Sequence, residues 1–580
     1  MGDRPALSYE FGAFRLDRGR RLLLRQDGTP VPLLPKAFEA LTYLVEREGL
    51  VLDKDELMRA VWPDTFVEDN NLTQIISTLR RALGEARGEH RYIATVPGRG
   101  YQFVAGVRPA DPGTSPATPP ARSIVVLPFA NVGQDAALEY FADGLADDLI
   151  ASLSRLDGLR VVARTSAFFF KNRPSDIREI AKHLGVHLVL EGSIRRSGSR
   201  LRVTAQMINA ADGCHVWSDR YDREMELRDV LTVQDEIRDA VLGALTPSLA
   251  GVDQRPILKH KTANPAAYEM YLKGRFHLFR MTPSGIDAGV QYFKGAIEHD
   301  PSYALAYVGL AHAQRVRAIS LERSPDEVAS EGKAAALRAI ELDPTLAEAH
   351  AVLAFHVYWF EWDWEAAEKH FTRALKLDPN SADTYWMYAH LPSNAGRHGE
   401  ALKAIAQARA LDPLSGLINA VEGQCLLHAG RTDDAIVRLR EAIELDPKSR
   451  IARLVAARAY IEKGMFDAAV QEAREAHTLT PSNTRARALE IVANARRGER
   501  REARAAFETL LQFSRERYVS PYNLAVACNG LDETAEAIAW LERACESHDP
   551  RMVFLNIDPV WNNLRSDARF RRLLKRMRFV

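Results

Sequence analysis

The chain has 580 residues, too many for one hydrophobic core, and its 46% apolar and 27% charged content is that of ordinary globular domains. Seventy-seven basic residues balance 77 acidic ones, so no global field selects a partner class. Cys214, Cys425, Cys528 and Cys545 have neither disulfide nor metal-ligand spacing, the N-terminal stretch lacks a signal-like apolar core, and no apolar run reaches the roughly 18 residues of a membrane span; the expectation is a cytoplasmic chain with no membrane partner.

The first hundred residues open with short strand-like pieces, YEFGAFRLD, RRLLLRQDG and PVPLL, followed by two helical segments, PKAFEALTYLVEREG and DKDELMRAVWPD. A third helix is predicted within VEDNNLTQIISTLRRALG, where Leu72, Ile75, Ile76, Leu79 and Leu83 form one apolar stripe. Opposite that stripe fall Asn70, Gln74, Ser77 and Arg81, with Thr78 beside them. A merely solvated helix face favours Glu and Lys, whereas amides and hydroxyls can hydrogen-bond base edges and phosphates. Next comes TVPGRGYQFV, in which Pro97, Gly98 and Gly100 permit a tight reversal with Arg99 at its tip. Between residues 70 and 108 six arginines stand against two glutamates, a local basic footprint in a neutral chain.

The run LPKAFEALTYLVEREGLVLDKDELMRAVW, then VEDNNLTQIISTLRRALG, then RYIATVPGRGYQF, resembles the winged-helix effector domain of OmpR/PhoB-type transcription regulators, with a wing like that of CadC/ToxR-like members. The resemblance implies a double-stranded DNA partner, with the third helix in the major groove and the hairpin at the minor groove. Carried over by position, Asn70, Gln74, Ser77, Thr78 and Arg81 become groove or phosphate contacts, Arg80 a further phosphate contact, and Arg99 the wing residue. Two departures stand out: Pro97 occupies the place where the family's wing often has arginine, and Ser77-Thr78 replace common arginines. A receiver domain is not expected ahead of the head, so control by aspartyl phosphorylation in cis is not expected either.

Residues 108–122, RPADPGTSPATPPAR, read as a Pro-rich linker that closes a head of residues 1–107. Residues 123–250 alternate strand and helix signals, an α/β domain with a mixed sheet and a hairpin turning at Ser197-Gly198. VVLPF, FADGLADDLIASLSRL, GVHLVLEGSIRRSGSRLRVTAQMI and VWSDRYD resemble the TolB amino-terminal-like domain. Asp143, Asp147 and Asp148 are expected to solvate a helix start. No phosphate loop, HExxH, GxGxxG or GxSxG occurs, so the expectation is a non-enzyme without catalytic residues, metal or cofactor.

From residue 265 to 580 the strings AIEHDP, AIELDP, ALKLDP, ARALDP, AIELDP and AHTLTP end at Pro301, Pro344, Pro379, Pro413, Pro447 and Pro481, separated by 43, 35, 34, 34 and 34 residues. That period, with small residues such as Ala367, Ala374, Ala401 and Ala408 where helices must approach, is the tetratricopeptide signature of an all-α solenoid. The 43-residue spacing predicts an insertion near 316–328, and DPVWNNLRSDARFRRLLKRM a polar-faced capping helix. Register from the prolines puts His356, Trp359, Phe360, Trp386, His390, Asn394, Gln424 and Arg458 on the concave face, a groove suited to an extended peptide or protein partner. A second reading has Trp359, Phe360, Trp362 and Trp364 filling an oversized inter-repeat junction. The whole describes a multidomain chain: winged head, α/β middle and solenoid. Its expected function is a DNA-binding regulator whose body receives a signal and, as a homo-oligomer, lets several heads share an operator. The competing reading is an interaction scaffold whose head does not bind DNA.

Overall fold

A computed structural model describes residues 8–17, 22–25, 30–31, 33, 35–61, 69–85, 89–109, 122–133, 135–154, 156, 158–173, 175–198, 200–210, 213–224, 235–237, 239–241, 243, 262–320 and 323–579. The chain divides into two compact units, Met1–Pro120 and Ala121–Val580.

In the first unit, β1 (Ser8–Phe11), β2 (Phe14–Asp17), β3 (Leu22–Arg25) and β4 (Pro30–Val31) form an antiparallel meander, and β8 (Val107–Pro109) pairs with β1 to complete five strands. Arg108 and Pro109, assigned to the linker from composition, therefore belong to the head; residues 110–121 of that linker lie outside the described residues. Helices α1 (Pro35–Val45), α2 (Lys54–Val61) and α3 (Asp69–Ala82) follow, with β5 (Val51–Leu52), β6 (Ile93–Val96) and β7 (Gly100–Phe103) in a second sheet ordered β5-β7-β6. An aromatic cluster joins the two sheets: Phe11 meets Phe103 edge-on at 5.1 Å, and Phe14 meets Tyr92 at 5.6 Å. Such pairs add to their area burial.

The second unit begins with a sheet ordered β11-β9-β12-β13-β14, with β10 (Ala130–Asn131) beside β12. β9 (Arg122–Val126), β11 (Leu159–Val161) and β12 (Leu188–Ser197) are parallel; β13 (Arg200–Asn209) and β14 (His215–Glu224) continue antiparallel. Gly198, at φ +62°, makes the turn expected at Ser197-Gly198. Helices α4 (Ala136–Leu153), α5 (Arg164–Phe168) and α6 (Ile177–Leu184) cross between strands.

Among the described residues eight helix pairs follow, from Pro265–Phe279 with Pro283–His299 to Pro521–Gly530 with Thr534–Glu546. The small residues predicted at close approaches, Ala367, Ala374, Ala401, Ala408, Ala435, Ala442, Ala469 and Ala476, are all fully buried. The long 43-residue spacing is taken up by helix length: Ala304–Ser320 and Pro325–Leu342 have 17 and 18 residues where Ala382–Asn394 and His398–Leu411 have 13 and 14. In the 35-residue repeat, helix Ala347–His356 widens into a π-helical turn, Val357–Glu361, before Trp362 reverses at φ +55°. One extra residue over the 34-residue period is what a π turn absorbs.

The α/β layer and the repeats are joined by buried carboxylates. Asp143, Asp147 and Asp148 lie within α4 rather than at a helix start. Asp147 receives Arg164 at 2.6 Å and Arg275, from the first repeat helix, at 3.1 Å. Asp148 accepts a hydrogen bond from Tyr268, and Asp143 is paired with Lys171. These acids fasten a seam, and among the described residues no cluster suited to a metal ion occurs. Further along, Arg160 donates to the Ala410 carbonyl at 2.9 Å, Ala163 N–H to Leu411 at 3.0 Å, and Ser166 N–H to the Asp412 carboxyl at 2.8 Å. Asp412 is the aspartate of a repeat-ending Asp-Pro, so a helix stop doubles as a docking point.

Burial pushes the Asp412 carboxyl up to about 6, against hydrogen bonds from Ser166 that favour its charged form. A carboxyl raised above its unfolded value of about 3.9 contributes fully below that pH, and the contribution is lost as pH rises through 6. Asp412→Asn keeps the acceptor without the charge. It is expected to gain on the wild type by on the order of 2–3 kcal/mol between pH 4 and pH 7. Urea unfolding of both proteins across that range reads the difference, and a pH-independent gap would refute it.

Candidate nucleic-acid interface and repeat groove

On α3, Leu72, Ile76, Leu79 and Leu83 are buried and Ile75 half-buried, so the apolar stripe faces the head's core. This orientation turns Gln74, Ser77 and Arg81 outward, all exposed. Among the described residues Arg81 has no ion-pair partner. Thr73, not singled out by the wheel, is exposed on the same face; its place four residues before Ser77 is the signal that could have found it. Thr78 is half-buried, and its hydroxyl donates to the Gln74 carbonyl at 2.9 Å. The Asn70 side chain lies outside the described residues.

Arg80 differs from its neighbour. Its guanidinium donates to the Ile93 carbonyl at 2.9 Å and to the Thr95 hydroxyl at 2.7 Å, with Glu85 at 3.7 Å. Glu85 in turn accepts the backbone N–H groups of Tyr92 and Ile93. A residue read as a phosphate contact is thus a clamp between α3 and β6: consecutive helical positions lie about 100° apart, enough to send one arginine inward and the next outward.

At the hairpin, Arg99 is exposed at the tip, and its N–H closes the turn on the Val96 carbonyl at 3.0 Å. The two glycines have different reasons. Gly98, at φ +71°, has open space around it, whereas a Cβ on Gly100 would stand 2.0 Å from the Leu52 carbonyl oxygen. Gly98 serves the turn and Gly100 the passage of β7 against β5.

All eight side chains expected to line an open concave groove are buried. The expected open groove is filled by the chain's own residues 548–558. Phe554 inserts among Trp359 at 5.4 Å, His390 at 6.3 Å and His428 at 5.9 Å. Asp558 receives Arg458 at 2.7 Å, and Arg458 also meets Glu462 at 2.8 Å. His548 bonds the Phe360 carbonyl at 2.7 Å and stacks on Trp362 at 4.7 Å; Asn556 donates to the Asn394 carbonyl. Trp386 donates to Asp383, His356 bonds the Ala311 carbonyl, and Gln424 is buried. Burial drives His390 and His428 down to about 3 and 4, leaving both uncharged at neutral pH.

The C-terminal stretch expected to form a polar-faced capping helix buries Phe570, Leu573 and Leu574 and exposes Arg571, Arg572, Lys575 and Arg576. Two 3₁₀ turns, Pro550–Phe554 and Pro559–Leu564, precede helix Ala568–Arg576, and Trp561 and Phe570 are fully buried. Trp364 donates to the Met577 carbonyl and stacks on Phe579 at 4.8 Å. The aromatic run neither lines an open groove nor only fills a junction between repeats: Trp359, Trp362 and Trp364 pack against Phe554, His548 and Phe579, about 190 to 215 residues away.

Residues 28–103 match the family described as transcriptional regulatory protein, C terminal. The head is an OmpR/PhoB-type winged helix. Residues 120–240, whose motifs suggested a TolB-like domain, match instead the HilA/YgeH-like transcriptional regulator second domain, and residues 393–439 and 426–491 match tetratricopeptide repeats. Three relatives are informative. The transcriptional regulator HilA of Salmonella typhi is 26% identical over 412 residues, 70% of each chain. The transcriptional activator CadC of Escherichia coli is 35% identical over 85 residues, 14% of this chain and 17% of that one. A putative adenylate cyclase 3 of Rhizobium meliloti is 35% identical over 247 residues, 42% of this chain and 41% of that protein. The chain thus spans less than half the length of the cyclase relative. No helix among the described residues is long and apolar enough to cross a membrane.

Phe554→Ala leaves Trp359 facing a cavity and is expected to cost about 3–5 kcal/mol, with a red-shifted tryptophan emission; denaturant unfolding followed by fluorescence checks both. Arg80→Ala is expected to destabilise the head by about 1–3 kcal/mol, because the Ile93 carbonyl and the Glu85 carboxylate lose a charged donor. Hydrogen exchange at β6 amides would rise with it.

Proposed function

We propose that this chain is a cytoplasmic, DNA-binding transcription regulator, not an enzyme, whose α/β and repeat regions receive a protein or ligand signal. The observation that carries the reading is the outward set Gln74, Ser77 and Arg81 on α3, on a helix clamped by Arg80 to a hairpin that presents Arg99. Amide and hydroxyl groups on such a helix reach base edges, and an arginine on a glycine turn enters a narrow groove. Asn70 and Thr78 belong to the same proposed face by position. The division into a head at 1–107, extended to Pro109 by β8, a linker to 122, an α/β domain at 123–250 and a solenoid at 265–580 is part of the proposal. A protein partner of the repeats would meet the strap-filled groove, so it engages the outer helix faces or competes with residues 548–558. Assembly of several chains would raise single-head affinity by effective concentration.

The test is capture of sheared genomic DNA by the full chain over a salt series, with Arg81→Ala/Arg99→Ala alongside. Recurrent fragments with affinity falling as salt rises are expected, together with a loss of roughly ten- to a hundred-fold in the double variant at unchanged melting temperature. No enriched sequence even at low salt would leave the scaffold reading in its place.

A further inference from the structure

A cavity of about 960 Å³ in the second unit opens beyond the carboxyl end of β9. In parallel α/β sheets that end of the strands is where crevices receive ligands, and the volume is of the order of small-molecule sites. Its wall comes from two parts of the unit. The α/β layer supplies Leu127, Phe129 and Ile180, and the first repeat helix supplies Phe276 and Arg280.

The polar groups are unevenly satisfied. Lys171 is held at 2.6 Å by Glu139 and beside Asp143, and Glu191 accepts from Gln206, so these charges are committed. Arg173 and Arg280 are exposed, and neither makes a salt bridge or side-chain hydrogen bond among the described residues; Glu139, held by Lys171, is near enough to Arg280 for its carboxyl to be lowered in part by that charge. Each lies over a ring instead, Arg173 at 4.0 Å from the Phe169 centroid and Arg280 at 4.9 Å from that of Phe276. Stacking holds the guanidinium planes while leaving their N–H edges free to bind an oxyanion. Asn172, in the left-handed region at φ +59°, turns the chain between Lys171 and Arg173 at the rim. Inside, the Asn131 side chain donates to the Asp135 carbonyl and to Glu139, while its buried oxygen accepts nothing.

We propose that this cavity binds an organic anion with a planar apolar body: the body against Leu127, Phe129 and Phe276, the oxyanion between Arg173 and Arg280, and an N–H or O–H donor at the Asn131 oxygen. This rests on the reading that the body receives a signal, and it names the site and the chemistry. Because Phe276 and Arg280 belong to the first repeat and Arg173 to the α/β layer, the bound anion adds a contact across the carboxylate seam.

The probe is 8-anilinonaphthalene-1-sulfonate, an aromatic body with an oxyanion, titrated into the full chain, with uncharged N-phenyl-1-naphthylamine as the same body without the charge. One saturable blue-shifted site per chain is expected. Arg173→Ala/Arg280→Ala weakens the sulfonate at least ten-fold and the neutral probe less than two-fold, at unchanged melting temperature. Phe276→Ala weakens both probes. Absence of a saturable site, or an equal response of both probes to the arginine double variant, overturns the proposal. DNA capture on the same preparations separates the two ideas. Capture without the probe site sinks this inference and leaves the regulator reading standing, while the probe site without capture does the reverse.

Discussion

The second unit depends on Phe554 and Asp558 entering the concave side of the repeats. A stack of helix pairs closes its convex and lateral faces repeat by repeat but leaves the concave face to be covered by something else. Here that face carries Trp359, Trp386, His390 and the guanidinium of Arg458, a combination costly to leave half-wet. Phe554 supplies the apolar plug, and Asp558 the counter-charge that lets Arg458 stay buried. Once the plug is present the histidines around it are held neutral, and the π turn at Val357–Glu361 brings Trp359 against it and offers it the Phe360 carbonyl. The polypeptide is its own groove ligand.

The seam between the α/β layer and the repeats follows a related logic with polar groups. Asp147, Asp148 and Asp412 are carboxyls in poorly solvated places, and each meets a cation or hydroxyl from the other side: Arg275, Tyr268 and Ser166. Removing one partner of such a set strands the other, so the two regions hold their register. The cavity beyond β9 sits on that seam, and this gives a ligand there purchase on both regions.

In the head, two adjacent arginines have opposite surroundings. Arg80 ties α3 to β6, and Arg81 is left outward. The winged-helix surface is therefore presented on a fixed frame, since Glu85 bonds the backbone at the start of β6 while Arg80 bonds its far side. Gly100 contributes to the frame and Gly98 to the tip.

The amino-acid sequence by itself determined whatever repeats or alternates over a few residues. The apolar stripe of α3, the Pro-Gly-Arg-Gly turn, the 34-residue period and the buried alanines follow from helical and strand geometry, which is local. Tertiary structure alone decided what packs against Trp359, His390 and Arg458, which acids become seam staples, which of two adjacent arginines turns inward, and that residues 548–558 fold back onto the repeats ahead of the polar-faced C-terminal helix. Apart from the arginine, whose partners lie 13 and 15 residues on, these depend on pairing partners far apart in the chain, Arg458 with Asp558, His548 with Phe360, Ser166 with Asp412, at separations of 100, 188 and 246 residues. No local pattern encodes such a contact; it arises only when the packed elements bring complementary charge and volume to the same place.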